Sequence, residues 1–454
     1  MFFVRFQVLK LEINKTLAMT KRTSQSISLP GCKGRKFEAD FSGQAITSDA
    51  GGALLRGADI ATNLLSRVAK GFSDSRRKAS CTHSIEALLK QRVFALALGY
   101  EDLNDHRELR HDPALQTAVG RDVELAGAST LCRFENNVDR KALWNLSAVL
   151  VDVFIESHKN PPLEIVLDFD STDDRVHGNQ EGRFFHGYYG HYCFLPLYVF
   201  CGDHLLAAYL RPSNIDGAKH ARGVLGLLVK RIRQVWPDTK IIYRGDSGFC
   251  RWKTLNWCEN HGVEYILGLA KNTRLNDLAE PLRTEARERF KQTDNKQKLF
   301  GETLYGAKTW NRERRVIIKA EHLKKGANPR YVVTNLEGNP AEIYGKYCAR
   351  GEMENKIKEQ QLYLFADRTS CNKWLPNQFR LLLSGLAYTL LNAIRRLGLT
   401  GTELAHARCD TIRLKLLKIG AAVVRNTRRV RLMLSDAYPY KDLFRLVASR
   451  LSPG

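Results

Sequence analysis

An apolar run that ends in four acids is the first place in this 454-residue chain where side chains could do chemistry. It is LDFDSTDD, residues 167–174, carrying Asp168, Asp170, Asp173 and Asp174. Side chains alternate faces along a strand, so Glu164, Val166, Asp168 and Asp170 share one face while Ile165, Leu167 and Phe169 share the other. Burying two carboxylates side by side without partners would cost on the order of several kcal/mol each. The strand end must therefore open onto solvent, a cation or a cluster of hydrogen-bond donors. DSTDD is also good turn chemistry, and a turn is what Asp173 and Asp174 are expected to make.

The pattern recurs in KIIYRGDSGF, residues 240–249, where an apolar strand again ends in an acid, Asp246, followed by a glycine-containing turn. Two strands that each deliver an aspartate at the carboxyl end supply the hard oxygen ligands that Mg2+ requires, water and phosphate completing the shell. Two such ions about 3.5–4 Å apart can activate an attacking oxygen and stabilise a leaving one in phosphodiester chemistry. A third carboxylate is offered by YCARGEMENKIKEQQ, residues 347–361. On one continuous helix Tyr347, Arg350, Glu354, Lys358 and Gln361 lie in a stripe about 80° wide. Taken alone, that stripe is more simply an exposed face of i,i+4 ion pairs. With Asp170 and Asp246 upstream, it is a metal carboxylate flanked by groups that bind phosphate.

Positioning such acids takes strands, and the pattern along the chain supplies them. Residues 1–50 are polar and basic, an extended arm. Residues 51–160 read as helices, SIEALLKQRVFALALGY (84–100) having helical spacing of its apolar residues. Residues 124–138, with Gly127 as a turn and Ser129 and Thr130 as N-caps, read as a helix-turn-helix or an ordinary helical hairpin. From 161 to 270 the period changes: LEIVLDFD, YYGHYCFLPLYVFCG (188–202) and HLLAAYLRPS (204–213) are strands, then helix, strand, helix and strand follow. That order predicts an α/β fold, a ribonuclease-H-like core. Residues 271–344 read as a β-rich insertion, 345–397 as the helical second part of the core, and 398–454 as a basic helical end.

Charge narrows the partner. The chain has 71 Lys+Arg against 48 Asp+Glu, a formal net charge of +23, and a field of that sign suits nucleic acid or an anionic membrane. No run reaches the ~18 uncharged apolar residues needed to span a bilayer. The apolar start is broken by Arg5, Lys10 and Glu12 and lacks the order of a signal peptide, so Met19 is the expected natural start. Ten dispersed cysteines without a C-x-x-C pair suit buried thiols in a reducing cytoplasm.

Three stretches carry a resemblance: LDFDSTDDRVHGNQEGRFFHGYYGHYCFLPL (167–197), YRGDSGF (243–249) and YCARGEMENKIKE (347–359). From about residue 35 to the C-terminus the chain resembles bacterial insertion-sequence transposases of the DDE class. Among these it is most similar to insertion-sequence family thirteen-eighty, with its β-rich insertion and Tyr-x2-Arg-x3-Glu-x6-Lys signature. Tyr347, Arg350 and Glu354 match that spacing, whereas the final position is Gln361, and the nearest lysine on the same face is Lys358. The resemblance implies a catalytic and metal-binding triad of Asp170, Asp246 and Glu354, with Asp168 the same-face rival to Asp170. It further implies two Mg2+ or Mn2+ ions, phosphate contacts from Tyr347, Arg350 and Lys358, and stacking of Trp310 on an unpaired base. The expected partners are double-stranded DNA, as terminal inverted repeats and target, and a second copy of the chain on DNA. The expected location is the bacterial cytoplasm, at the nucleoid. Two rival readings are a non-transposing metal nuclease using Asp168, Asp170, His186 and His191, and a catalytically decayed DNA-binding regulator.

Overall fold

The computed structural model describes residues 26–77 and 81–452; the choice between Met1 and Met19 lies outside them. The sheet that carries the acids grows outward from the strand Glu164–Ser171. Lys240–Gly245 pairs with it in parallel, and Glu264–Leu269 pairs in parallel beyond that. On the other side Leu197–Cys201 and then His204–Tyr209 add antiparallel. Three antiparallel strands from the 271–344 segment, Arg330–Thr334, Arg314–Leu323 and Gln297–Tyr305, extend the same sheet from Glu264–Leu269. They are preceded by the helices Thr273–Leu278 and Glu280–Thr293.

Both faces are covered, which is why the central strands are so apolar. Ile165, Leu167, Phe169, Tyr243 and Leu267 pack with Leu225, Ile232 and Leu255 from the helices Ala221–Arg233 and Trp252–Asn260. On the opposite face Ile242, Ile266 and Val332 meet Ile343 and Tyr344 of the helix Pro340–Cys348. Tyr198, Phe200 and Leu205 meet Phe379 and Leu386 of the helix Trp374–Ala393. That last helix is buried nearly all round, as a helix sandwiched between layers must be. The Gln378 side chain fixes it to the sheet by accepting from Leu210 N at 2.7 Å and donating to Ala208 O at 3.0 Å. Gly385 lets it approach closely, since a Cβ there would lie 2.7 Å from Leu205. Its other side packs on Ile85–Leu98, which starts at a Ser84 cap and ends at a left-handed Gly99.

Four local expectations change. The long strand at 188–202 is two, His191–Phe194 and Leu197–Cys201, because Pro196 cannot donate to a ladder. The first of these leaves the main sheet for a small one with Asp174–Arg175 and Phe184–His186. At 124–138 the only helix is Ala128–Asn136, capped by Gly127 rather than by Ser129 or Thr130, after an irregular stretch from Gly120. The 347–361 helix is interrupted: Pro340–Cys348 ends, and Gly351–Leu364 begins with Arg350 as its cap. In the basic C-terminal end, Ala421–Arg425 and Val430–Leu434 form a β-hairpin, not a helix. Its valines and alternating pattern suit a pleated surface, and the Asn426 side chain accepts from the Arg428 and Arg429 amides to make the turn.

Candidate active site

Asp168 and Asp170 share a face, yet their surroundings differ. Asp168 stands in register with Arg244 on the neighbouring parallel strand. The guanidinium grips it with Nε–Oδ1 at 2.5 Å and Nη2–Oδ2 at 2.7 Å, while Nη1 donates to the Lys346 carbonyl in the helix above. Burial pushes the Asp168 carboxyl up and Arg244 pulls against it. Asp168 is thus the buried partner of an arginine that ties sheet to helix.

Asp170, one turn of the pleat farther on, reaches the end of the strand. Its Oδ1 accepts the Ser171 amide at 2.9 Å, and its Oδ2 lies 3.4 Å from Arg350 Nη1. Burial pushes this carboxyl up to about 6; Arg350 opposes that, while the charges of Asp246 and Glu354 add to it. Asp246 follows Lys240–Gly245 and caps the short turn Ser247–Phe249, accepting from Gly248 N at 2.8 Å. Glu354, half-exposed, lies on Gly351–Leu364 with its Oε1 3.3 Å from Arg350 Nη2. The fold therefore brings Asp170, Asp246, Glu354 and Arg350 together where two parallel strands end beneath a helix junction. Burial works against the Arg350 charge, but the surrounding anions, Asp170 foremost, hold its pKa above the ordinary value.

Tyr347 joins them through a glycine. Its hydroxyl lies over Gly268, where a Cβ would stand 2.6 Å from that oxygen and 2.9 Å from Ser247 N. Only a bare backbone leaves the ring this place beside Asp246. Lys358 is exposed one turn beyond Glu354 and makes no ion pair among the described residues. Gln361 instead turns inward, its amide donating to Asp173 O at 3.1 Å and Asp174 Oδ1 at 3.0 Å. Trp310 is not part of this gathering. It packs on Tyr305 and under the Arg314 guanidinium, against the core on the sheet face opposite Tyr347.

Asp173 and Asp174 are not a simple surface turn. Asp173 Oδ2 pairs with His191 Nε2 at 2.7 Å, and Asp174 is fully buried at the start of a short strand, its carboxyl pushed well up by that burial. His186 and His191 stand opposite each other in a hairpin, and with Asp168 taken by Arg244 the rival His/carboxylate site does not assemble. Among the described residues no three His, Cys, Asp or Glu side chains stand close enough to hold an ion together; the Arg350 guanidinium bridges Asp170 and Glu354. The donor set still suits a hard cation by its chemistry: Asp246 and Glu354 lie near enough to Asp170 for their charges to be felt there, and carboxylate oxygens are what such an ion takes.

Two positioning residues escaped the sequence. Arg211, fully buried, donates to Ser171 Oγ at 2.7 Å and to the carbonyls of Leu195 and Gly217 at 2.9 Å each, locking the turn after Asp170. A cation directly after the apolar run HLLAAYL was its one visible signal. Arg244 had a better one, two residues before Asp246 and so on the same face as the acids.

The chain matches the family model described as "Transposase DDE domain group 1" over residues 29–453, and it belongs to that family of DDE-class transposases. Transposase function, with the nuclease and strand-transferase chemistry and the DNA partner general to the class, follows from membership. Divalent metal ions are likewise general to it. No curated protein matches the chain. No helix among the described residues is long and apolar enough to cross a membrane.

Proposed function

We propose that this transposase binds the terminal inverted repeats of an insertion sequence of family thirteen-eighty, cleaves the phosphodiester at each end and joins the freed 3′-hydroxyl to target DNA. The observation that carries the proposal is the convergence of Asp170, Asp246 and Glu354 on Arg350 at the ends of adjacent parallel strands. Support for a ribonuclease-H-like core comes from the strand order His204–Tyr209, Leu197–Cys201, Glu164–Ser171, Lys240–Gly245, Glu264–Leu269, three antiparallel strands followed by two parallel to the first. Residues 161–270 and 345–397 would compose that core, interrupted by 271–344, with DNA contacts from 1–50, 51–160 and 398–454.

Two Mg2+ or Mn2+ ions, bound by Asp170, Asp246 and Glu354, would activate the attacking oxygen and stabilise the leaving one. Arg350 and the Tyr347 hydroxyl border the carboxylates and orient the scissile phosphate, the guanidinium exchanging an acid for a phosphate oxygen. Lys358, exposed on the same helix, supplies a further cation to the backbone; Trp310 is the base-stacking candidate on the far face. Two ends handled in one reaction call for two copies of the chain on DNA.

The test is Mg2+-dependent nicking of a duplex carrying the element end. Asp170→Asn, Asp246→Asn and Glu354→Ala should each reduce nicking to background while binding the same duplex as tightly as the parent. Nicking that survives Glu354→Ala would sink the triad.

A further inference from the structure

Close to Asp170 the surface carries more rings than a monomer has reason to expose. The hairpin of Phe184–His186 and His191–Phe194 presents Phe184, Phe185, Tyr188 and Tyr192 to solvent, Tyr188 at 86% and Phe185 at 57% exposure. Its base is rigid. Ser213 Oγ donates to Phe184 O at 2.8 Å, and Glu181 accepts from the Trp374 amide at 3.0 Å. The His191–Asp173 pair ties it to the segment directly after Asp170. The tip, GYYG, turns at residues 187–190, with Gly190 in the left-handed region and its amide bonded to His186 O at 2.8 Å. From there the rings follow one another: His186 to Tyr189 at 4.8 Å and Tyr189 to Tyr188 at 5.0 Å.

The charge around those rings fits nucleic acid. The Arg183 guanidinium lies 4.4 Å from the centre of the Tyr192 ring, and Arg175 is exposed on the short strand paired with His191–Phe194. The acids nearby have partners within the chain: Asp173 in His191, Asp174 in Gln361, and the exposed Glu181 in the Trp374 amide. Resting on the DNA-cleavage reading above, we infer that this hairpin is a base-stacking platform for unpaired bases of the strand whose phosphate reaches Asp170. Tyr188 and Phe185 supply the rings, and Arg183 and Arg175 hold the backbone. Stacking tolerates any base, because every base has a flat π-face.

The experiment titrates the full chain, without divalent ion, with a fluorescent single-stranded oligonucleotide and with the same strand carrying abasic sites at its centre. The parent should prefer the base-bearing strand by roughly five- to a hundredfold. Tyr188→Ala with Phe185→Ala should erase most of that preference while leaving abasic-strand affinity and its salt dependence unchanged; Tyr188→Phe should keep it. Equal binding of both strands by the parent overturns the platform, as does a preference that survives the double substitution. A change confined to oligomeric mass would assign the hairpin to a second copy of the chain and overturn it too. A parent that binds neither strand strikes the DNA reading itself.

Discussion

Two aspartates two residues apart on one strand face have opposite consequences for the fold. Asp168 is the neutralising partner of Arg244, and Asp168→Ala would strand a buried guanidinium. The expected cost is about 3–5 kcal/mol, read as a fall in the denaturant unfolding midpoint. Asp170 has its carboxyl pushed up to about 6, by burial first and by the charges of Asp246 and Glu354 after it, so its ionised form burdens the fold. Asp170→Asn should leave that midpoint unchanged or raise it while nicking disappears, the trade expected where a site is built for chemistry. Gly268 permits a different check. Gly268→Ala drives a methyl group toward the Tyr347 hydroxyl and Ser247 N, so nicking should fall at least about tenfold with end binding retained. Equal nicking by the variant would show that Tyr347 has no role at the cut.

At the scale of elements, a broken helix and an unexpected hairpin matter most. The junction at residues 349–350 lets Arg350 point at Asp170 from the start of one helix while Tyr347 lies over Gly268 from the end of another. Periodicity alone read both as one stripe. The C-terminal hairpin is mounted by Arg425, whose Nη2 donates to Pro113 O at 2.9 Å and Thr117 Oγ1 at 3.1 Å. Its turn holds Arg428 and Arg429 in solvent. If these meet phosphates, the double substitution Arg428→Ala, Arg429→Ala should lower the slope of log affinity against log salt by about 2. Titrations of end DNA at several salt concentrations measure it, and an unchanged slope would remove the hairpin from the interface.

Across the whole molecule the chain folds back on itself. Lys418 from the C-terminal part donates to Asp49 at 2.8 Å, and Lys441–Leu451 packs on Gly52–Thr62. Buried His106 and half-buried His204, the latter on the strand His204–Tyr209, contribute to the response to acid. Burial holds His106 down to about 3 and His204 down to about 4, so both stay neutral when folded. Unfolded, each would titrate near 6.5, so between about pH 6.5 and 4 the unfolded chain binds protons that the fold refuses. The histidines' share of stability should fall as pH drops through that window. Asp168, Asp170 and Asp174, whose folded pKa values are raised by burial, work in the opposite sense. Acidification across the window should therefore destabilise the parent more, relative to its value at neutral pH, than it does His106→Gln, read from denaturant midpoints; identical slopes would count against the histidine account.

The acids at the ends of two apolar runs, the sheet strands beneath them and the overall positive charge were all legible in the sequence. Each is a local signal: alternation sets a strand's faces, and composition sets a field. Which aspartate is free was not local, because it depended on the parallel register that puts Arg244 opposite Asp168. Neither was the role of Gln361, nor the place of Trp310 on the far face. A side chain's partner is decided by residues tens or hundreds of positions away, and only the packed sheet and its covering helices bring those residues within hydrogen-bond reach.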